Sequence, residues 1–236
     1  MDVSAPLYRL KRRAKRLSRE GGIPLHAALD RIAREEGVAR WSLLAARLRE
    51  DSPARPVHDR LSPGTLVLLA ARPGHGKTLL AIELAFEAVR AGNEAVFFSL
   101  EYTATDFLAR IDAMGIDRAA FGERLAFDDS DDIAADHIAG RLADAAPGTL
   151  AVIDYLQLLD QKRVHPDLTT QVRTLRDFAR RKGIVLAFIA QIDRAFEASG
   201  RAVPGYGDIR LPNPLDLSLF DAACFLHDGE VRWEAA

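Results

Sequence analysis

The chain lacks the features of a secreted or membrane protein. Its 236 residues include a single cysteine, Cys224, so no disulfide can form within the chain, as is usual in a reducing compartment. The N-terminus is basic without the apolar segment of a secretory signal, and no apolar run approaches the length that spans a bilayer. The net charge is only −2, so bulk charge favours no particular partner. These absences predict a cytoplasmic protein without membrane contact.

The composition is that of a globular protein in two parts. Hydrophobic residues make up 48% of the chain and charged residues 28%, and the length suits one α/β domain with a small appendage. The sequence pattern of residues 1–50 predicts a basic segment of three short helices. Residues 51–64 contain three prolines and no periodicity, which predicts a linker. The α/β domain is predicted to comprise residues 65–236.

The N-terminal segment carries a local concentration of positive charge. Seven Lys or Arg residues and no acidic residue lie between Arg9 and Arg19. One interpretation is a solvated helix face whose apolar stripe packs on the neighbouring helices. The other is a surface that follows a phosphate backbone without reading sequence. The sequence leaves both interpretations open.

From residue 65 onward, strands and helices alternate. The predicted strands are Thr65–Ala70, Ala95–Ser99, Thr149–Ile153, Ile184–Ala190 and Ala222–His227. The predicted helices are Thr78–Arg90, Thr105–Met114, Asp131–Ala145 and Thr169–Arg181. Asp228-Gly229 is a two-residue hairpin signal after the last strand. The strands are nearly continuous apolar runs, which favours a mostly parallel sheet covered by helices, with a site beyond the carboxyl ends of the strands.

The stretch TLVLLAARPGHGKTLLAIEL has the layout of a phosphate-binding P-loop. It gives an apolar strand, a tight loop and a helix in the required order, although Ala71 stands where the pattern has glycine. Backbone N–H groups at a helix N-terminus can bind phosphate, Lys77 can reach the β- and γ-phosphates, and Thr78 can bind Mg²⁺. The alternative is an ordinary strand–turn–helix. The predicted nucleotide-binding residues are Arg72, Pro73, Gly74, His75, Gly76, Lys77, Thr78 and Leu79.

Three polar residues follow predicted strands and should lie at the same edge of the sheet. Asp154 closes an apolar strand as a Walker-B acid that holds Mg²⁺ does, or it simply begins a turn. Glu101 can activate the water that attacks the γ-phosphorus, or it is an acid at a helix start. Gln191 can hydrogen-bond the γ-phosphate and report its loss, or it is merely polar where the strand ends.

These segments resemble successive motifs of the DnaB-type replicative helicase ATPase domain, within the RecA superfamily. The resemblance runs from about Leu61 to Glu230 and is specific in LAARPGHGKTLLAIELA, FFSLEYTATDFLAR and VIDYLQLL. AFIAQIDRAFE and the segment from Gly207 to Glu230 are similar more loosely. Members of that family also tend to have alanine at the first P-loop position.

The resemblance implies a fold, a chemistry and an assembly. It implies a RecA-like P-loop core that binds Mg-ATP and hydrolyses it. Lys77 and Thr78 would bind nucleotide and Mg²⁺, Glu101 would be the catalytic base, Asp154 would hold Mg²⁺ and Gln191 would be the sensor. It also implies a homo-oligomer, with a hexameric ring as the candidate form, around single-stranded DNA in replication.

Two departures from the family pattern keep rival functions open. The Lys/Arg pair that family helicases carry beyond the last strand has no match here, where only Arg232 follows the hairpin. Residues 1–50 do not resemble the family's primase-interacting domain. The rivals are a regulatory RecA-like ATPase that moves no DNA and a nucleotide-dependent module that binds a partner. The loop Arg194–Pro214, with Arg194, Arg201 and Arg210, either lines a DNA channel or is simply solvated.

Overall fold

The chain folds into two compact units in the computed structural model. The structure describes residues 7–50, 52–114, 116–156, 159, 165–211, 213–228 and 230–236. The first unit comprises the chain up to Ser52 together with Ile111–Ile116, and the second comprises Pro53–Arg110 and Asp117–Ala236. The predicted division at residues 50 and 64 stays a prediction.

The first unit is built on three helices, as predicted for residues 1–50. These are α1 (Leu7–Gly21), α2 (Leu25–Glu35) and α3 (Trp41–Glu50). Their buried apolar residues share one small core: Leu10, Ala14, Ala28, Ile32, Ala33, Trp41, Leu44 and Ala45. The Asp30 carboxylate accepts a hydrogen bond from the Trp41 backbone N–H at 2.9 Å, which satisfies a donor at the start of α3.

The second unit alternates strands and helices. Its strands are β1 (Leu66–Ala71), β2 (Ala95–Ser99), β3 (Leu125–Asp128), β4 (Leu150–Asp154), β5 (Val185–Gln191), β6 (Ala222–His227) and β7 (Glu230–Ala235). Its helices are α4 (Ala54–His58), α5 (Lys77–Arg90), α6 (Ala104–Ala113, which ends in the first unit), α7 (Ala135–Arg141) and α8 (Leu168–Lys182). Among the described residues, no helix combines the length and apolar character that crossing a membrane requires.

The seven strands form one mostly parallel sheet in the order β3-β2-β4-β5-β1-β6-β7. Only the β6–β7 pair is antiparallel, with His227 opposite Glu230. Strands β1, β2 and β4 are buried throughout, and β5 and β6 are buried except at their last residue. The predicted mostly parallel sheet with covered faces is confirmed, because near-continuous apolar strands need helices on both sides.

Four features differ from the sequence-based expectations. The edge strand β3 was not predicted, because its LAFD sequence is short and only half-buried. β7 was not predicted as a strand, although the hairpin signal before it was recognised; Gly229 of that signal lies outside the described residues. α7 is shorter than the predicted helix 131–145. The segment predicted as a linker includes α4, whose five residues are too few to show periodicity and whose Ala54 and Val57 are buried.

Candidate nucleotide site

The loop between β1 and α5 has the backbone of a phosphate-binding turn. Gly74 and Gly76 have φ values of 83° and 93°, in the left-handed region that glycine adopts without a steric penalty. The His75 N–H donates to the Arg72 carbonyl at 3.1 Å, and the Leu80 N–H donates to the Gly76 carbonyl at 2.9 Å, which starts α5. The N-terminus of α5 therefore lies at the carboxyl end of β1, where unpaired N–H groups favour an anion.

Thr78 and Asp154 meet in the interior beside this loop. Thr78 lies in the first turn of α5 and Asp154 is the last residue of β4, and their residues are 6% and 0% exposed. The Thr78 hydroxyl donates to Asp154 Oδ2 at 3.3 Å. The structure thus joins the two residues that the sequence assigned to Mg²⁺.

The Asp154 carboxylate lies where a negative charge is costly. Burial raises its pKa to about 7, while the positive charge of Lys77 opposes the rise and the negative charge of Glu101 adds to it. Its Oδ1 atom is buried without a hydrogen-bond partner among the described residues. A carboxylate and a hydroxyl are the oxygen ligands that Mg²⁺ takes, so this pair fits a Mg²⁺ ion, which would also supply the missing partner.

Glu101 lies at the same edge of the sheet and is exposed. It follows β2, its backbone N–H donates to the Ser99 hydroxyl at 3.1 Å, and its charge raises the pKa of Asp154. At the start of the following helix, the Asp106 N–H donates to the Thr103 hydroxyl at 3.2 Å, and that hydroxyl donates to Asp106 Oδ2 at 2.8 Å. Thr103 and Asp106 thus pair across the first turn of α6 without a bond from Glu101.

Sequence reasoning missed two side chains of this edge, Tyr102 and Arg110. The Arg110 guanidinium lies 4.2 Å from the centroid of the Tyr102 ring, a cation–π geometry. The pKa of Tyr102 is raised, mainly by burial, and Arg110 opposes that rise. The charge of Arg110 also opposes the rise in the pKa of Asp154, so it acts on that carboxylate. The position of Tyr102 directly after Glu101 was the available signal for its place at the site.

Gln191 ends β5, the strand between β1 and β4. It pairs in register with Ala71, the first position of the P-loop pattern, and its backbone carbonyl accepts a hydrogen bond from the Arg210 N–H at 2.7 Å. The backbone of Gln191 therefore lies beside the start of the P-loop and is tied to residue 210 of the loop that follows.

The side chains of Arg72 and His75 are engaged outside the loop. The Arg72 guanidinium donates to Glu197 Oε1 at 2.7 and 2.9 Å and to the Ile192 carbonyl at 3.3 Å. The His75 ring stacks on His227 with 5.2 Å between the ring centroids.

The family of the chain is shown by comparison with known proteins. A family model described as an AAA domain matches residues 33–205, which is more than half of the chain. The chain therefore belongs to the AAA domain family.

The chain is also similar to a DnaB-type helicase. The replicative DNA helicase DnaB of Haemophilus influenzae is 24% identical over 205 residues, which cover 72% of this chain and 44% of the helicase. The chain thus spans less than half the length of this curated relative. The resemblance to the DnaB-type ATPase domain, predicted from the motifs, is confirmed.

Solved structures share the fold. A structure titled as a DnaB-like replicative helicase and its interactions with primase gives a TM-score of 0.60 at 19% identity and covers 92% of this chain and 66% of that one. A solved ATPase domain gives a TM-score of 0.57 at 20% identity and covers 71% of this chain and 70% of that one. The predicted RecA-like P-loop fold is confirmed by these likenesses.

Proposed function

We propose that the chain is a DnaB-like, DNA-acting ATPase that binds Mg-ATP at the carboxyl edge of its sheet and hydrolyses it to ADP and phosphate. The observation that carries the proposal is the buried Thr78–Asp154 pair beside a glycine-rich turn, with Asp154 Oδ1 lacking a partner among the described residues. A buried acid without full hydrogen bonding is costly unless a ligand completes its surroundings.

The phosphate groups of ATP would be held by the P-loop. The N–H groups at the start of α5 offer hydrogen bonds to phosphate oxygens, and the adjacent Lys77 supplies positive charge. Thr78 and Asp154 would hold Mg²⁺ through their oxygen atoms. When bound, Mg²⁺ neutralises negative charge on the transferred phosphoryl group.

Glu101 would act as the general base. Its exposed carboxylate can accept a proton from a water molecule, while its backbone stays fixed through the Ser99 hydroxyl. Asp154 is less suited to this role because its carboxylate is buried and already accepts a hydrogen bond from Thr78. The two carboxylates would therefore take different roles: Asp154 would hold the metal ion and Glu101 would activate the attacking water.

Gln191 would sense the γ-phosphate. Its side-chain amide can hydrogen-bond a phosphate oxygen without adding charge, and its backbone is joined both to the start of the P-loop and to Arg210. Loss of the γ-phosphate could then shift the loop that carries Arg194, Arg201 and Arg210.

Assembly would supply a further cation to the reaction. Arg232, the basic residue beyond the hairpin, donates to the Pro204 carbonyl at 2.7 Å and to the Glu234 carboxylate at 3.0 Å within its own chain. We therefore infer that a neighbouring subunit provides the positive charge that stabilises the transition state, in a homo-oligomer such as a hexameric ring. Single-stranded DNA would contact the basic face of α1, the Arg194–Pro214 loop, or both.

A regulatory ATPase that hydrolyses ATP slowly and moves no DNA is the second candidate. The engagement of Arg232 within its own chain favours this candidate, because it removes one possible source of the cation. A cytoplasmic location is proposed for either function.

The deciding experiment measures ATP hydrolysis by the full chain with and without single-stranded DNA, beside its mass with and without ATP. The DNA-acting ATPase predicts DNA-stimulated turnover that the Glu101→Gln variant loses. The regulatory ATPase predicts slow turnover that DNA leaves unchanged. A partner-binding module predicts ATP binding without turnover above that of Glu101→Gln. Failure of the wild type to bind Mg-ATP contradicts all three.

A further inference from the structure

The P-loop is joined by side chains to the post-β5 segment, which we define as residues 193–211. Glu197, in the 3₁₀ turn Arg194–Ser199, accepts two hydrogen bonds from the Arg72 guanidinium, and a third bond goes from Arg72 to the Ile192 carbonyl. The Arg72 side chain is only 12% exposed, whereas that of Glu197 is 62% exposed. Charge-assisted bonds to a largely buried guanidinium fix the geometry more firmly than a surface ion pair does.

A second, independent set of contacts joins the same two regions through rings. His75 of the P-loop stacks on His227 at the end of β6, with ring planes 13° apart. His227 in turn meets the Phe196 ring edge-on, with 5.2 Å between centroids. The Asp228 N–H also donates to His75 Nδ1 at 3.4 Å. Two positions of the P-loop are therefore held by groups that contact the 3₁₀ turn.

The beginning and the end of the post-β5 segment are hydrogen-bonded to each other, so a shift of one end is passed to the other. Ile192 and Ile209 form an antiparallel bridge, and the Asp193 N–H donates to the Asp208 carbonyl at 2.7 Å. The Arg201 guanidinium lies over the Phe196 ring at 5.5 Å and pairs with the Asp208 carboxylate. The segment thereby presents Arg194, Arg201 and Arg210 from one connected structure.

We propose that Arg72 and Glu197 are positioning residues that couple the nucleotide-bound state of the P-loop to the post-β5 segment. Arg72 is held at both ends, since its carbonyl accepts from the His75 N–H within the loop and its side chain holds Glu197. A change in the loop on phosphate binding therefore moves or tightens the contact with Glu197. This link is separate from the Gln191 side chain, and it rests on the proposed ATP binding.

The test is hydrogen exchange of the backbone amides of residues 193–211, measured by mass spectrometry on the full chain with and without the Mg²⁺ complex of a non-hydrolysable ATP analogue. In the wild type we expect the analogue to change exchange in this segment. Glu197→Gln keeps the shape of the side chain but loses its charge. In this variant the analogue-dependent change in exchange should fall to less than about half of the wild-type change. Glu197→Asp, which keeps the carboxylate, should retain more of the change than Glu197→Gln.

Controls separate coupling from a merely structural role. Glu123→Gln removes an exposed carboxylate ahead of β3 and should leave the analogue-dependent change as in the wild type. All variants are compared at equal saturation, set from calorimetric affinities. A purely structural ion pair would alter exchange without nucleotide and leave the nucleotide-dependent change intact in Glu197→Gln, which overturns the proposal. Binding of the analogue with no exchange change in the wild type also overturns it, whereas absence of binding contradicts the proposed function itself.

Discussion

The carboxyl edge of the sheet in the second unit and helix α1 of the first unit differ in how their polar groups are placed. Among the described residues of the second unit, the buried polar residues are Thr78, Ser99, Thr149, Asp154 and Gln171, and three of these lie at or beside the carboxyl edge of the sheet. In the first unit, the charges of α1 lie on the surface, where Arg13 pairs with Glu35 at 2.9 Å and with Glu36 at 3.3 Å.

This difference separates a site that we propose a ligand completes from a surface whose charges are solvated. A buried carboxylate with an unpaired oxygen calls for a cation, and parallel strands bring such residues to one edge. Exposed basic residues need no partner, so a role in binding has to be shown by experiment.

The largest expected effect is on the alkylation rate of Cys224, the single cysteine of the chain, which lies in the second unit. Burial raises the pKa of Cys224 in β6 to about 12, so the folded state favours the neutral thiol. At pH 8, alkylation by iodoacetamide should be slower by ~10³-fold or more in the native protein than in urea, because the thiolate reacts. The buried neutral thiol also contributes to the free energy of unfolding. This contribution is fully present below the unfolded-state pKa of about 8.5 and is lost as the pH rises towards 12.

Mass spectrometry of the alkylated chain over time measures the rate. The control is the same chain in urea, where the thiol is exposed. Equal rates in the native and unfolded chain would show that β6 is not the buried strand described above.

The next effect concerns turnover at the carboxyl edge. Glu101→Gln keeps the shape and hydrogen bonding of the side chain but cannot take a proton, so turnover should fall by ~10²-fold or more at unchanged ATP affinity. Phosphate release and calorimetry measure the two quantities, with Glu123→Gln as the matched loss of an exposed carboxylate. Unchanged turnover would remove Glu101 from catalysis.

A smaller effect is expected for the metal ion. Asp154→Asn removes the charge of the buried carboxylate while retaining one oxygen, so the strengthening of ATP binding by Mg²⁺ should drop about tenfold or more. The measurement is calorimetric titration with ATP in the presence and absence of Mg²⁺. If Mg²⁺ strengthens binding equally in the variant and the wild type, the Thr78–Asp154 pair does not hold the metal.

The smallest effect concerns the basic face of the first unit. If α1 follows a phosphate backbone, changing Lys11, Arg12, Lys15 and Arg16 together to Gln should weaken binding to single-stranded DNA. The log–log salt slope should flatten by about 0.7 for each phosphate that the variant no longer neutralises. Arg13 is left unchanged because its pairs with Glu35 and Glu36 join α1 to the end of α2, whereas the Arg16–Glu20 pair lies within α1. ATP affinity serves as the control. An unchanged slope would show that the basic face of α1 does not bind the phosphate backbone, and the Arg194–Pro214 loop would then be the candidate DNA contact.

The buried strands of the fold were predictable because their apolar runs carry a strong signal. β2 and β6 match the predicted bounds, and β1, β4 and β5 each shift by one residue. β3 and α4 were missed because they have four and five residues, too few for a periodic pattern. β7 has no fully buried residue at the edge of the sheet, so its sequence lacks the apolar run that marks the other strands.

The site was predictable where a residue lies directly at a strand end or in the P-loop. Thr78 and Asp154 were named from sequence and are hydrogen-bonded in the structure, and Glu101, also named from sequence, lies close enough for its charge to raise the pKa of Asp154, although the proposed roles stay predictions. Arg110 was missed because it is nine residues beyond Glu101 and approaches only through the turn of α6. The contacts of Arg72 and His75 were also missed, since Glu197 and His227 lie more than a hundred residues away in sequence.

The most direct test of the central claim is calorimetric titration of the full chain with ATP in the presence of Mg²⁺, beside the same titration of Lys77→Ala. The wild type should bind ATP, and removal of the charge-assisted bond to phosphate should cost about 1.5–3 kcal/mol, which is roughly 10- to 150-fold in affinity. Circular dichroism would establish that the variant is folded. Equal affinities for ATP in the folded variant and the wild type would contradict the account.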